Sequence, residues 1–212
     1  MQKKIREFLQ ISPIVPVVVI ESLEDAAPLA QSLIEGGIKI IEVTLRSSCA
    51  LESIELIIKS VPDMCVGAGT ILNTTQLEQA RSRGAEFFIS PGLTPTLLEY
   101  AKKKDIPLIP GVSSSSEVMQ ALEFDYNTLK FFPAENCGGT KLLNAFNGPF
   151  KEVKFCPTGG ISLNNMQNYL NLENVLCIGG SWLTPKDLVK NKEWDKITNL
   201  VKESLTQAKN IV

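Results

Sequence analysis

The chain alternates between short, nearly continuous apolar runs and longer segments in which apolar residues recur at helical spacing. Short apolar runs are typical of buried parallel strands, and helical spacing is typical of amphipathic helices that cover a sheet. The strands predicted from the apolar runs are Ile14–Ile20, Ile38–Thr44, Met64–Ala68, Glu86–Ile89, Pro107–Ile109, Thr128–Phe132, Val153–Cys156 and Val175–Ile178.

Helices are predicted between these strands and at both ends of the chain. The first lies in the segment MQKKIREFLQIS, which is amphipathic. Gly36, Gly37 and Gly84 are plausible helix stops, and Ser114 with Glu117 has the spacing of a capping box. The remaining predicted helices are Leu23–Glu35, Ala50–Ser60, Thr75–Arg83, Pro95–Lys104, Ser115–Glu123, Thr140–Ala145, Asn164–Asn171 and Glu193–Lys209.

Eight strand–helix units in 212 residues predict an α/β fold. The arrangement that fits best is a (β/α)8 or TIM barrel with an extra N-terminal helix, forming a single domain over residues 1–212. A doubly wound open sheet is the alternative, but no G-x-G-x-x-G motif follows the first strand. We find no linker or low-complexity segment that would separate a second domain.

In a barrel, the polar residues of the second and sixth strands should point inward. Side chains alternate along a strand, so Glu42, Thr44 and Arg46 share one face and the apolar residues between them share the other. The same parity places Lys130 and Phe132 inside. The functional interpretation is a general acid/base beside a carboxylate clamp. The structural alternative is a Glu42–Arg46 ion pair that plugs the barrel.

Lys130 stands inside the apolar run LKFFPAE, at residues 129–135. Burying an ammonium group is costly, and a buried lysine usually responds by losing its proton. A neutral amine is a nucleophile that forms Schiff bases with carbonyl compounds. Most lysines extend into solvent, but the presence of Glu42 and of the glycine motifs in the same chain favours a catalytic role for Lys130.

Glycine-rich turns follow several predicted strands. GAGT (67–70), SPG (90–92) and IPGVS (109–113) follow the third, fourth and fifth strands, where small residues leave the backbone accessible. Gly159-Gly160 and Gly179-Gly180-Ser181 follow the seventh and eighth strands. Loops at these two positions form the common phosphate site of such barrels, so the sequence predicts a phosphorylated substrate.

Composition excludes several classes of function. A formal net charge of −2 gives no reason to expect nucleic acid or a membrane as partner. The chain has no histidine, which excludes Ser-His-Asp and Cys-His catalysis and a His-rich zinc site. The five cysteines show no C-x-x-C spacing, and those in apolar runs are expected to pack in the core: Cys65, Cys156 and Cys177.

We expect a cytoplasmic protein. The N-terminal segment lacks the long apolar core of a signal peptide. No apolar stretch approaches the ~20 residues that are needed to span a bilayer.

Taken together, the motifs resemble those of the KDPG/KHG aldolases, enzymes named for 2-dehydro-3-deoxy-phosphogluconate and 4-hydroxy-2-oxoglutarate. The resemblance extends over essentially the full length. It implies a class I aldolase without metal or cofactor, on a (β/α)8 barrel that assembles as a homotrimer. Its motifs are EVTLR (42–46), GAGT (67–70), ISPG (89–92), IPGV (109–112), LKFFPAE (129–135), FCPTGGI (155–161) and CIGGSWL (177–183).

The resemblance also implies a role for each matching residue. Lys130 would form the Schiff base and Glu42 would transfer protons. Arg46 and Thr70 would bind the carboxylate of the pyruvyl part. Pro91 and Phe132 would line the pocket. The phosphate would be bound by Thr158, Gly159, Gly160, Gly180 and Ser181.

The expected reaction is the reversible cleavage of 2-dehydro-3-deoxy-6-phosphogluconate to pyruvate and glyceraldehyde 3-phosphate, with 4-hydroxy-2-oxoglutarate as a second substrate. Phosphogalactonate aldolases are the alternative within the family, but Arg46 favours the gluconate branch. A phosphosugar isomerase or epimerase would leave Lys130 without a covalent role. A non-catalytic sugar-phosphate binding barrel would have no need to keep Lys130 and Glu42.

Overall fold

The computed structural model describes residues 2–209, which form parallel strands alternating with helices. All eight predicted apolar runs contain strand residues, although Val175–Ile178 overlaps β9 only at Ile178. The strands are β1 Ile14–Val18, β2 Ile40–Thr44, β3 Cys65–Gly69, β4 Phe87–Ile89, β5 Leu108–Ile109, β6 Gly111–Val112, β7 Thr128–Phe131, β8 Lys154–Pro157 and β9 Ile178–Gly180.

The helices match the sequence prediction closely at most positions. The N-terminal helix begins at Gln2 within the described residues, and Met1 lies outside them. One helix, at Lys186–Lys190, was not predicted. The helices are α1 Gln2–Leu9, α2 Ala26–Gly36, α3 Ala50–Ser60, α4 Thr74–Ser82, α5 Pro95–Lys103, α6 Ser115–Glu123, α7 Gly139–Phe146, α8 Met166–Leu170, α9 Lys186–Lys190 and α10 Trp194–Lys209, with 3-10 turns at Leu23–Asp25 and Glu135–Cys137.

The strands form two parallel sheets. Six strands pair in the order β5-β4-β3-β2-β1-β9, and three pair in the order β6-β7-β8. The main sheet is a half-barrel in an α/β fold. Isolated bridges join Phe155 to Val175 and Thr158 to Gly179, where β8 runs beside β9.

The predicted fifth strand, Pro107–Ile109, is observed as β5, but strand pairing resumes after Pro110 in β6, within the segment IPGVS that was predicted to be a turn. Pro110 separates β5, which pairs with β4, from β6, which pairs with β7. Proline has no N–H group to donate to a ladder, so regular pairing stops there. The Pro110 carbonyl still accepts a hydrogen bond from the Lys130 N–H at 2.9 Å.

Helix α1 covers the end of the molecule where the strands begin. Phe8 packs on Phe87 with ring centroids 5.5 Å apart. Arg6 donates from Nε to Thr128 Oγ1 and from Nη2 to the Glu152 carbonyl, both at 3.1 Å. This end is therefore closed, and the C-terminal ends of the strands are left for a site. No helix among residues 2–209 is long and apolar enough to cross a membrane.

Candidate active site

Lys130 lies in the middle of β7, with Gly111 and Cys156 as its strand neighbours. Only 4% of the residue is exposed, as its place in an apolar run predicts. Its Nζ lies 3.2 Å from Oε1 of Glu42, which is 1% exposed. The inward orientation predicted for both side chains from strand parity is confirmed by this contact, because β2 and β7 belong to different sheets.

Glu42 reaches Lys130 through space left by a glycine. A Cβ built on Gly69, at the end of the neighbouring strand β3, would lie 2.0 Å from Oε1 of Glu42. Any side chain there would displace the carboxylate, so Gly69 is part of the construction of the site. Only an accessible backbone was predicted for the glycines of GAGT, so this contact with Glu42 was not predicted.

The buried pair has a specific chemical capacity. Two opposite charges that are removed from water stabilise each other only when they lie close together in a favourable geometry. Transfer of one proton from the ammonium to the carboxylate makes both groups neutral. Such a transfer would give Lys130 the neutral amine that Schiff-base chemistry needs. Phe132 lies on the same side, with its ring centroid 5.3 Å from Nζ of Lys130.

Arg46 is exposed at the mouth of the site and donates from Nε to Thr70 Oγ1 at 3.1 Å. Thr70 has a φ of +60°, which residues with a side chain rarely adopt. The structure thus brings Arg46 and Thr70 together. Within residues 2–209, Glu42 is paired with Lys130 and not with Arg46, so the alternative of a Glu42–Arg46 plug is wrong.

The loops after β8 and β9 contain the residues expected at the phosphate end. Gly159 and Gly160 both have positive φ, at 104° and 76°, so this turn depends on glycine. In the described part of the chain, their N–H groups donate to no protein acceptor. Thr158 is buried, and among the described residues its hydroxyl has no hydrogen-bond partner.

Gly180 and Ser181 occupy the end of the last strand. Gly180 is the final residue of β9 and is buried, and Ser181 follows it on the surface. Pro91 is half-buried in the loop after β4.

Two further features of the interior were not assigned from the sequence. The hydroxyl of Thr44, expected to face inward, donates to the Val18 carbonyl at 2.9 Å and is thereby committed to the backbone. A hydrogen bond with Cys156, together with burial and the charge of Glu42, raises the pKa of the Cys177 thiol.

The cysteine prediction is largely confirmed. Cys156 and Cys177 are buried. Cys65 is only half-buried, and desolvation raises the pKa of its thiol to about 12. Thiols with raised pKa values are poor nucleophiles at neutral pH. No group of three or more His, Cys, Asp and Glu side chains within residues 2–209 is placed to hold a metal ion.

Comparison with known proteins agrees with this geometry. A family model described as KDPG and KHG aldolase matches residues 5–200. The chain is 51% identical to the KHG/KDPG aldolase of Escherichia coli (strain K12) and 50% identical to the 2-dehydro-3-deoxy-phosphogluconate aldolase of Dickeya dadantii (strain 3937), in both cases over 95% of each chain.

Solved structures give the same result. The KDPG aldolase of Legionella pneumophila, crystallised with pyruvate captured as a covalent carbinolamine intermediate, matches with a TM-score of 0.93 and 48% identity, over 95% of this chain and 98% of that one. The structure of the 2-keto-3-deoxy-6-phosphogluconate aldolase of Zymomonas mobilis ZM4 with 3-phosphoglycerate matches with a TM-score of 0.91 and 44% identity, over 97% of this chain and 96% of that one. This chain therefore belongs to the KDPG and KHG aldolase family.

Proposed function

We propose that the protein is a class I aldolase. It reversibly cleaves 2-dehydro-3-deoxy-6-phosphogluconate to pyruvate and glyceraldehyde 3-phosphate, and it cleaves 4-hydroxy-2-oxoglutarate to pyruvate and glyoxylate. The observation that carries the proposal is the buried contact of 3.2 Å between Lys130 Nζ and Glu42 Oε1. The covalent pyruvate intermediate of the Legionella enzyme, 48% identical to this chain, supports it.

Lys130 supplies the covalent step. Its neutral amine attacks the C2 ketone of the substrate, the new N–C bond gives a carbinolamine, and loss of the former ketone oxygen as water gives an iminium ion. This cation accepts the electron pair of the C3–C4 bond. Protonation of the resulting enamine at C3 and addition of water then release pyruvate and restore the amine.

Glu42 moves the protons. Because its carboxylate lies within hydrogen-bond reach of Lys130 Nζ, it can take the ammonium proton before the attack. It can then exchange protons with the carbinolamine oxygen, and it takes the C4 hydroxyl proton when the C3–C4 bond breaks. The same group therefore acts as acid and base at successive steps.

The remaining site residues bind and orient the substrate. Arg46 and Thr70, already joined to each other, hold the carboxylate next to the ketone. Pro91 and Phe132 line the apolar part of the pocket. The hydroxyl of Thr158 has no partner among residues 2–209 and supports a phosphate site there. We assign the phosphate to five residues at the ends of β8 and β9: Thr158, Gly159, Gly160, Gly180 and Ser181.

We further propose that the two sheets together form a closed eight-stranded barrel in a single domain. The interruption at Pro110, the two bridges between β8 and β9, and the Lys130–Glu42 contact across the interior support this arrangement. A cytoplasmic homotrimer is the remaining part of the proposal. Light scattering coupled to gel filtration tests the trimer, and a monomeric mass would contradict it.

Trapping with borohydride tests the covalent step. Pyruvate plus borohydride should add one reduced pyruvyl group per chain, and peptide mapping should place it on Lys130. A Lys130→Arg variant should gain no mass. The matched control is Lys154→Arg on the adjacent strand β8, whose Nζ donates to the Glu173 carbonyl at 3.0 Å and which should be labelled like the wild type.

An adduct on another residue would overturn the assignment of Lys130. Activity lost to EDTA and restored by zinc would contradict a class I mechanism. Cleavage of the 6-phosphogalactonate analogue in preference to the gluconate would move the protein to the other branch of the family.

A further inference from the structure

Glu135 lies directly against the glycine turn that we assign to the phosphate. It follows the lysine strand in the motif LKFFPAE, and its N–H donates to the Gly159 carbonyl at 3.1 Å. A Cβ built on Gly160 would lie 2.7 Å from both Cβ and Cγ of Glu135. The stem of this acidic side chain thus covers one side of the turn, and the proposed function gives it no role.

The carboxylate of Glu135 is turned away from the glycine turn. Its Oε1 accepts a hydrogen bond from the hydroxyl of Tyr169 on α8. A Cβ built on Gly139, the first residue of α7, would lie 3.2 Å from Oε1 of Glu135 and 3.1 Å from the Tyr169 hydroxyl. The negative charge is therefore held at the start of α7, where the helix dipole favours it.

Tyr169 is a suitable residue to hold this charge. Its ring is completely buried, so the hydroxyl has a fixed position. Burial and the adjacent carboxylate raise the pKa of Tyr169, so the hydroxyl keeps its proton and donates it to Glu135. Without this donor, rotation within the exposed Glu135 side chain would bring the carboxylate toward Gly160.

We propose that Tyr169 is a positioning residue for substrate preference: it holds the Glu135 carboxylate away from the phosphate of the substrate. Two like charges at the same turn would repel each other, and a carboxylate could also occupy the N–H groups meant for phosphate. The inference rests on the proposed function, since it assumes that the phosphate binds at this turn.

The test is a double-mutant cycle. Tyr169→Phe keeps the buried ring and removes the hydroxyl, and Glu135→Gln removes the charge and keeps an acceptor for Tyr169. We expect Tyr169→Phe to raise KM for the phosphorylated substrate about ten-fold, the size expected from losing one hydrogen bond to a charged group, with little change for 4-hydroxy-2-oxoglutarate. Glu135→Gln alone should change KM for the phosphorylated substrate and KM for 4-hydroxy-2-oxoglutarate by less than about two-fold.

The decisive variant combines the two changes. If Tyr169 acts by restraining a charge, then Glu135→Gln should rescue Tyr169→Phe and return KM for the phosphorylated substrate to near the wild-type value. The inhibition constant of inorganic phosphate should change in parallel with this KM across the wild type, the two single variants and the double variant. A double variant as impaired as Tyr169→Phe, or equal losses on both substrates, would show a merely structural role and overturn the inference.

Two controls distinguish a specific effect of Tyr169 from a general loss of stability and from a failure of the proposed function. Tyr126→Phe removes another buried tyrosine hydroxyl, which donates to the Leu98 carbonyl at 3.0 Å, and it should leave substrate preference unchanged. Wild-type protein that fails to cleave the phosphorylated substrate would contradict the proposed function itself. If Tyr169→Phe does not fold, wild type and Glu135→Gln still decide the question with Glu135→Lys, which should lower KM for the phosphorylated substrate; an unchanged KM would overturn the inference.

Discussion

At the scale of single residues, strand parity predicted that the side chains of Glu42 and Lys130 both face the interior. Glu42 and Lys130 are each polar residues at inward positions of apolar strands, so the sequence predicts that both enter the interior. It does not predict their distance of 3.2 Å, which depends on the space beside Gly69. The hydroxyl of Thr44 has the same parity and serves only the backbone, so parity identifies candidates and not roles.

The first prediction concerns Glu42. Glu42→Gln keeps the size of the side chain but cannot take a proton, so kcat for cleavage should fall by about 10² to 10⁴-fold. Some Schiff base should still form and be trapped by borohydride. Glu35→Gln, on the exposed end of α2, is the control and should retain full activity. A Glu42→Gln enzyme with kcat within a few-fold of wild type would place the base elsewhere.

The second prediction concerns Arg46. A guanidinium can bind a carboxylate through two parallel hydrogen bonds while its Nε still contacts Thr70, and an ammonium cannot reproduce this geometry. Arg46→Lys should therefore raise KM for pyruvate in the condensation direction about ten-fold. Arg81→Lys, in a surface ion pair with Glu78, is the matched control. Normal pyruvate binding by Arg46→Lys would remove Arg46 from the carboxylate site.

At the scale of elements, the apolar pattern located strands and helices well but missed features that leave no periodic signal. Helix α9 has only five residues, too few for a helical repeat to be recognised. The break at Pro110 was visible as a proline, but its effect depends on which neighbouring strands need an N–H group. The capping box of α6 was predicted correctly, because Ser114 and Glu117 interact within one turn.

That capping box leads to a third prediction, on stability and pH. Burial of the Glu117 carboxylate raises its pKa, but hydrogen bonds from Ser113 and Ser114 outweigh this and leave the pKa below its usual value. Its stabilisation is therefore complete above the unfolded-state pKa of about 4.3 and is lost as the pH falls through the lower folded-state pKa.

Urea unfolding measures the effect. Glu117→Gln should lower the free energy of unfolding by about 1 kcal/mol at neutral pH, and the difference from wild type should shrink at about pH 3. Glu123→Gln, at the exposed end of the same helix, should not destabilise the protein at neutral pH. A pH-independent difference for Glu117→Gln would exclude the carboxylate as its cause.

The fourth prediction concerns the loop after β9. Ser181→Asp places a negative charge on an exposed residue of the proposed phosphate end. Cleavage of the phosphorylated substrate should suffer in both KM and kcat, because phosphate binding also positions the reacting carbons. Cleavage of 4-hydroxy-2-oxoglutarate should be much less affected. Ser116→Asp adds the same charge on the first turn of α6 as a control, and equal losses on both substrates would contradict a phosphate site.

At the scale of the whole molecule, the order and parallel direction of the strands followed from the alternation of strand and helix signals. The way the sheets meet did not, because it depends on short contacts between elements far apart in the chain. Helix α1 makes such contacts with both sheets: Arg6 binds Thr128 of β7 and the Glu152 carbonyl just before β8, and Phe8 packs on Phe87 of β4.

The fifth prediction tests the contacts of Arg6. Arg6→Ala should lower the free energy of unfolding by about 1–2 kcal/mol, since two hydrogen bonds from a charged group are lost. KM should not change, because α1 lies at the end opposite the site. Lys3→Ala is the control on the same helix, where the side chain is 93% exposed and lies 4.0 Å from Glu7. Equal stability of Arg6→Ala and Lys3→Ala would show that α1 is held by its apolar face alone.

Lys130 and Glu42 are separated by 88 residues in the sequence, so they cannot come into contact early in the synthesis of the polypeptide. A nascent chain that ends before β7 contains the acid without the amine, and a fragment that begins after β2 contains the amine without the acid. The amine therefore gains its partner only when two distant parts of the chain have packed together. On the proposed mechanism an incomplete chain lacks this pair, so the rate of borohydride trapping reports on whether these two parts of the chain have packed together.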